Sequence, residues 1–156
     1  MCVIRCLSHE NAVKLAMIYQ LLFVVLIRLR TVVLTWRLLT DGKPSKQIYM
    51  ISCVCLKGKF LEAETTEENN FIKAELNTMN TGIDGYWLGG YNFNKDRSLE
   101  WISHPDQPMT YSDMYPGEPN GPSSQRCLLY WRQFGYAWGD GFCTAKLSYV
   151  CEFIKT

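Results

Sequence analysis

The sequence predicts an α+β domain with one clear helix and several short antiparallel strands, preceded by an apolar N-terminal helix. Thr65 and Glu68 form a capping box in front of an amphipathic run, which marks the start of a helix. Short runs rich in aromatic and β-branched residues follow, separated by turn residues, and indicate strands. A long proline-rich loop, residues 104–126, interrupts these strands and is the expected location of function, because unstructured loops of that length are uncommon.

The overall composition excludes several classes of protein. A chain of 156 residues fits one domain and a short extra segment. Its net charge of +1 provides no positive field for a phosphate backbone, so nucleic acid is not an expected partner. His9 and His104 are the only histidines, and neither stands in a nucleophile motif, so we do not expect an enzyme.

Seven cysteines are many for a chain of this size. They lack the paired C-x-x-C spacing of a zinc site. Cys127, Cys143 and Cys151 are widely spaced among aromatic and turn residues, which is typical of a disulfide framework. Disulfides in turn indicate an oxidising compartment outside the cytosol.

Residues 1–40 differ in composition from the rest of the chain. The apolar run 15–27 is shorter than the ~20 residues of a membrane span, and Arg28 and Arg30 follow it directly. A secretory signal or signal anchor, a helix buried against the domain or a partner, and a segment foreign to the domain all remain open. Membrane association through residues 12–39 is one consequence of the first alternative.

The polar segment 41–47 is the predicted linker, and residues 48–156 are the predicted domain. Within the domain, residues 47–54 are a possible first strand. The helix starts at the Thr65 cap and ends near Asn80. The later strands are predicted at 86–88, 99–102, 128–131, 136–138 and 149–153.

The tripeptide Glu118-Pro119-Asn120 is the most specific chemical feature of the loop. Bonds before proline are cis more often than other peptide bonds, and a cis Glu118–Pro119 bond would direct the flanking side-chain oxygens to one side. Asp140 at a strand end would supply a further carboxylate. Carboxylate and amide oxygens are the ligands that calcium prefers. Taken alone, the tripeptide is more typical of an ordinary surface turn than of a metal site.

Other motifs accompany the tripeptide in a specific order. Trp87-Leu88-Gly89-Gly90, Leu99-Glu100-Trp101, Gly117-Glu118-Pro119-Asn120, Cys127, Trp138-Gly139-Asp140, Cys143 and Tyr149-Val150-Cys151-Glu152-Phe153 follow one another along the chain. This region resembles the C-type lectin domain family. The resemblance implies a double-loop fold with the disulfides Cys55–Cys151 and Cys127–Cys143. Cys2, Cys6 and Cys53 are then left over. A disulfide between chains, competition of Cys53 with Cys55, and plain buried thiols at Cys2 and Cys6 all remain open.

The resemblance also implies a site. Glu118, Asn120 and Asp140 correspond to residues that hold Ca²⁺ and contact sugar in family members of mannose-type preference, and Gln125 corresponds to a further metal ligand. The expected partners are glycans or glycoproteins, and the expected location is extracellular, secreted or membrane-anchored. Gln125 replaces a glutamate and Gly139 an asparagine of the family pattern, so calcium binding is expected to be weakened. The alternative is a calcium-independent protein-binding module on the same fold.

Overall fold

The computed structural model describes residues 22–27, 30–35, 53, 58–80, 82–96, 98–121 and 123–154. Its elements, in chain order, are β1 (Leu22–Ile27), β2 (Arg30–Thr35), β3 (Lys59–Phe60), α1 (Thr66–Met79), β4 (Gly85–Tyr91), β5 (Glu100–Trp101), β6 (Cys127–Trp131), a 3₁₀ turn (Arg132–Phe134), β7 (Ala137–Gly141) and β8 (Ser148–Ile154). Among these described residues, one long helix and a sheet of short strands confirm the α+β class.

Helix α1 has the ends that its capping residues predict. The Thr65 side chain accepts a hydrogen bond from the backbone N–H of Glu68 at 3.2 Å. Asn80 ends the helix in the left-handed conformation, with φ of 39°, which asparagine tolerates better than most residues. Ile72 and Leu76 are buried and pack in one cluster with residues of the sheet. The helix therefore covers one face of the sheet.

The sheet has the strand order β1-β2-β8-β4-β6-β7, with β3 also paired to β8 and β5 to β4. All pairs are antiparallel except β4 and β8, which run parallel, so the expectation of antiparallel strands holds for all but one pair. Along β6, Leu128 and Tyr130 pack on the side of α1, whereas Leu129 packs with Trp87 on the other side. Both faces of the central strands are therefore buried.

The predicted N-terminal helix is wrong for the part of that segment that the structure describes. Strands β1 and β2 form an antiparallel hairpin, and β2 pairs along β8 from Arg30↔Ile154 to Thr35↔Tyr149. Both strands are rich in valine, and the edge of β8 provides hydrogen-bond partners that a local helix pattern does not reveal. The other residues of 1–40, and the linker 41–47, lie outside the described residues.

The domain boundary at residue 48 and membrane association through 12–39 accordingly stay predictions. No helix among the described residues is long and apolar enough to cross a membrane. Of the possible strand 47–54, Cys53 alone is described, and its backbone is helical.

The first disulfide corrects the implied pairing of Cys55 with Cys151. Cys151 is bonded to Cys53, with the two Cα atoms 5.7 Å apart. Cys53 is fully buried beside Phe60, whose strand pairs with β8 at Cys151. Cys55 lies outside the described residues. Cys53 and Cys55 are separated by one residue and lie almost equally far in sequence from Cys151, so the packing decides which of them forms the bond.

A buried polar network fastens the proline-rich loop to the helix and the sheet. Asn69 is fully buried, and its amide nitrogen donates to the Tyr111 hydroxyl at 3.0 Å and to Asp113 at 2.8 Å. Its amide oxygen accepts from the Tyr130 hydroxyl and from the Trp138 indole, each at 2.9 Å. All four hydrogen-bonding positions of this amide are used. The network holds the start of the loop against β7, the strand that carries Asp140.

Candidate functional site

The loop reaches its functional segment by running beside β7. The Trp138 N–H donates to the Asp113 carbonyl, and the Tyr115 N–H donates to the Trp138 carbonyl, both at 2.8 Å. A turn follows, in which the Glu118 N–H donates to the Tyr115 carbonyl at 2.9 Å. Asp140 lies two residues beyond Trp138 on the same strand. These backbone hydrogen bonds bring the tripeptide and Asp140 to one place.

The three predicted ligand residues converge in the structure. Asp140 is only 3% exposed, and its two carboxylate oxygens accept the backbone N–H groups of Asn120 and Gly121, each at 2.9 Å. The side-chain amide of Asn120 donates to Glu118 Oε1 at 2.9 Å. The Glu118–Pro119 bond is cis. Glu118, Asn120 and Asp140 thus form one continuous polar cluster, referred to below as the EPN cluster.

Glu118 is the electrostatically unusual member of the EPN cluster. Its Oε2 atom is buried and has no hydrogen-bond partner in the part of the chain that the structure describes. Burial, followed by the neighbouring Asp140 carboxylate, raises the pKa of Glu118 from 4.5 to about 7. Two adjacent carboxyl groups disfavour each other's ionisation unless a positive charge lies between or beside them. The cluster therefore favours a proton or a cation at Glu118.

Gln125 lies beside the EPN cluster, although no hydrogen bond in the described part of the chain joins its side chain to it. The Gln125 N–H donates to the Gly121 carbonyl at 2.8 Å. A side chain at Gly121 would meet Gln125 Oε1 at 2.7 Å, so the amide packs directly on this glycine. The Cys127–Cys143 disulfide, with Cα atoms 5.3 Å apart, has the pairing that the resemblance implied. It fixes the chain two residues beyond Gln125.

Trp131 lies beside Gly139, a contact that the sequence did not reveal. A Cβ atom built on Gly139 would lie 2.5 Å from Trp131 Cδ1 and 2.7 Å from its indole nitrogen. It would also lie 3.4 Å from the carboxyl carbon of Glu118. The indole therefore occupies the space that a side chain at position 139 needs. The contact arises from the β6–β7 register, in which Trp131 pairs with Ala137 and is diagonal to Gly139.

The donor set of the EPN cluster fits a hard divalent cation in its chemistry. Glu118 and Asp140 offer carboxylate oxygens and Asn120 an amide oxygen, which are ligands of the type that calcium takes. The unpartnered Glu118 Oε2 is a free acceptor within this set. No group of three or more histidine, cysteine, aspartate or glutamate side chains suited to a metal is present among the described residues. With only the carboxylates of Glu118 and Asp140, the EPN cluster offers little negative charge to a cation.

Comparison with known proteins gives the same family as the motifs. The family model for the Lectin C-type domain matches residues 46–153. The mouse low affinity immunoglobulin epsilon Fc receptor is 30% identical over 119 residues, which is 74% of this chain and 33% of the receptor. The chain spans 64% and 33% of the length of the first two curated relatives that it matches.

Solved structures give the same fold. Human lithostathine aligns with a TM-score of 0.71 at 19% identity, over 85% of this chain and 97% of the other. The C-type lectin domain of murine dendritic cell inhibitory receptor 2, solved in complex with N-glycan, aligns with a TM-score of 0.68 at 22% identity, over 85% of this chain and 96% of the other. The match of the family model to more than half of the sequence, together with this fold, shows that the chain belongs to the C-type lectin domain family.

Proposed function

We propose that the EPN cluster binds carbohydrate with a preference for mannose-type sugars, and that calcium assists this binding. Domains of this family typically bind carbohydrate and are not catalytic. The observation that carries the proposal is the buried, unpartnered Glu118 Oε2 beside the Asp140 carboxylate. A pair of carboxyl groups in this arrangement accepts a cation more readily than it remains charged alone.

Each residue of the EPN cluster has a separate part in this proposal. Glu118 and Asn120 hold calcium and form hydrogen bonds with two neighbouring sugar hydroxyls. The Glu118 carboxylate accepts hydrogen bonds, whereas the Asn120 amide both accepts and donates them. Asp140 contributes charge and fixes the loop through the N–H groups of Asn120 and Gly121. Calcium, when bound, supplies positive charge that attracts hydroxyl oxygens. No covalent bond of the sugar is broken.

The charge of the site limits its affinity. Glu118 and Asp140 provide two carboxylates, whereas Gln125 provides an uncharged amide and Gly139 no side chain. Calcium affinity follows the number of charged ligands and the rigidity of the site. We expect weak calcium binding and a sugar dissociation constant near ~1 mM, equivalent to about 4 kcal/mol. Clustering of several domains raises the avidity for a glycoprotein.

Glycans and an extracellular location are also part of the proposal. The dendritic cell inhibitory receptor 2 domain, which has the same fold, was solved in complex with N-glycan. The bovine CD23 domain was crystallised in the presence of an oligosaccharide. The Cys53–Cys151 and Cys127–Cys143 disulfides support an oxidising compartment.

A second candidate function, calcium-independent recognition of a protein, is favoured by the aromatic residues beside the cluster. Trp131 fills the space next to Gly139. Tyr115, which is 41% exposed, stacks on Phe134 with ring centroids 4.0 Å apart and an interplanar angle of 9°. Exposed aromatic side chains are enriched in protein interfaces. Survival of binding in the presence of a chelator distinguishes this function from the first.

The test is titration of the full chain with calcium by calorimetry, followed by titration with methyl α-mannoside by NMR, with and without EDTA. We expect calcium binding in the wild type and its loss in Glu118→Gln. The control Glu67→Gln makes the same change on the exposed surface of α1 and should bind normally. Absence of calorimetric heat at millimolar calcium refutes the metal part of the proposal. Mannoside shifts that persist in EDTA refute calcium dependence alone.

A further inference from the structure

A cleft of about 610 Å³ reaches Pro119 of the tripeptide, but Glu118, Asn120 and Asp140 are not among the described residues that line it. Its walls come from the loop before β5, from Glu100 on β5 and from the proline-rich loop, where they include Asp106, Met109 and Met114. The volume is within the range of about 300–1,000 Å³ that is typical of small-molecule sites. We refer to it as the Glu100 cleft.

The charge of the Glu100 cleft is negative. Glu100 is only 6% exposed, and Asp106 is a second carboxylate in the wall. Glu100 accepts hydrogen bonds from the Asp106 backbone N–H at 2.7 Å and from the Asn94 amide at 3.4 Å. Each of its oxygens keeps a lone pair beyond these bonds. None of the described residues that line the cleft is lysine or arginine.

The remaining walls of the cleft are largely apolar. Leu99, Pro108, Met109 and Met114 line it, and both methionines also pack against the hydrophobic core. Methionine side chains adapt to aliphatic groups of varied shape because they are unbranched and polarisable. The cleft thus combines a buried carboxylate with a surface suited to an aliphatic chain.

We propose that the Glu100 cleft binds a small aliphatic amine, with its ammonium group at Glu100 and Asp106 and its carbon chain against Met109 and Met114. A primary ammonium carries three N–H donors, which match the carboxylate and amide oxygens of the cleft. A quaternary ammonium typically uses aromatic faces, and none of the described lining residues is aromatic.

A hard metal ion fits the cleft poorly. Calcium takes about 6–8 oxygen ligands close around it, whereas two carboxylates in a volume of about 610 Å³ leave most of the space unfilled. Thioether sulfurs such as those of Met109 and Met114 do not suit hard cations. The amine site is therefore independent of the calcium site proposed above, and either can exist without the other.

The experiment uses the full chain, labelled at the methionine methyl groups, and hexylammonium chloride as the probe, with hexanol as the uncharged control. Saturable shifts of the Met109 and Met114 methyl signals are expected with hexylammonium, and weaker ones with hexanol. Glu100→Gln should raise the dissociation constant roughly tenfold and Asp106→Asn roughly threefold, because each removes one charge. Asn tolerates the φ of 65° that Asp106 adopts, so the loop is preserved.

Matched controls keep the result decisive even where Glu100→Gln loses its fold. The Asp106→Asn variant changes an exposed residue, and Glu67→Gln changes a carboxylate away from the cleft. Equal binding of hexanol and hexylammonium, or hexylammonium binding that Asp106→Asn leaves unchanged, overturns the proposal. So does the absence of saturable shifts at both Met109 and Met114. Because no sugar enters this experiment, its outcome is separate from that of the mannoside titration.

Discussion

The contact between Gly139 and Trp131 makes a quantitative prediction about the surroundings of the EPN cluster. Replacing Gly139 by alanine places a methyl group 2.5 Å from Trp131 Cδ1, whereas ordinary contacts between such atoms are 3.4–4 Å. The indole ring, the backbone, or both must move by nearly an ångström. Overpacking of this kind costs about 1–3 kcal/mol of unfolding free energy.

The backbone at Gly139 does not explain such a loss. The φ angle of Gly139 is not in the positive range, so alanine is compatible with the backbone conformation at this position. In the absence of a clash, Gly→Ala at a compatible position stabilises by about 0.4–1 kcal/mol. Alanine should therefore stabilise a chain in which the indole is absent and destabilise the wild type.

A double-mutant cycle with Gly139→Ala and Trp131→Val separates these effects. Urea denaturation of the four proteins should give a coupling free energy of about 2 kcal/mol, with the alanine harmful beside tryptophan and harmless beside valine. Gly139→Asn, which restores the family residue, should then bind calcium no better unless Trp131 is also replaced. Equal stability of Gly139→Ala and the wild type, or a coupling near zero, refutes the proposed filling of this space by the indole.

Three further predictions concern charge and buried polarity. In the calcium-free protein, the unfolding free energy should fall as pH rises from about 4.5 to about 7, because folded Glu118 keeps a proton that the unfolded chain has lost. In urea denaturation at several pH values, Glu118→Gln should remove this dependence on pH, and an unchanged dependence in the variant contradicts the prediction. Calcium binding at pH 6 should release roughly one proton from Glu118. Because the buffer takes up this proton, the calorimetric heat of calcium binding should differ between MES and Bis-Tris, and equal heats count against the prediction. Asn69→Ala should lower the unfolding free energy by about 3–5 kcal/mol, since it orphans several buried partners, while Asn70→Ala on the exposed side should stay close to wild type.

Local signals in the sequence were sufficient for the helix, whereas the family resemblance was needed to predict which residues of the loop lie together. Thr65 and Glu68 define the start of α1 through a hydrogen bond between near neighbours, so a short stretch of sequence contains the information. The order of motifs in the second half indicated that Glu118, Asn120 and Asp140 come together, and they do. These features depend on residue types at fixed short spacings or on a family pattern.

Features that depend on contacts between segments far apart in the sequence could not be predicted from the sequence. Strands β1 and β2 form where apolar residues predicted a helix, because the edge of β8 lies more than a hundred residues away. The choice of Cys53 over Cys55 depends on which sulfur faces Cys151. Trp131 meets Gly139 through the register of two strands. In each case the deciding partner is absent from the local sequence, and propensity gives way to tertiary contacts.

Asp140 shows how far the loop geometry depends on protein atoms alone. Its oxygens hold the backbone of Asn120 and Gly121, and the Asn120 amide in turn holds Glu118. These bonds join the three residues of the EPN cluster through protein atoms, while Cys127–Cys143 fixes the chain beyond them. For the proposed calcium binding, these bonds predict that the metal has little ordering of the loop to provide and acts chiefly by neutralising Glu118 and Asp140. We therefore expect weak metal binding by a loop that keeps its shape when the metal is removed.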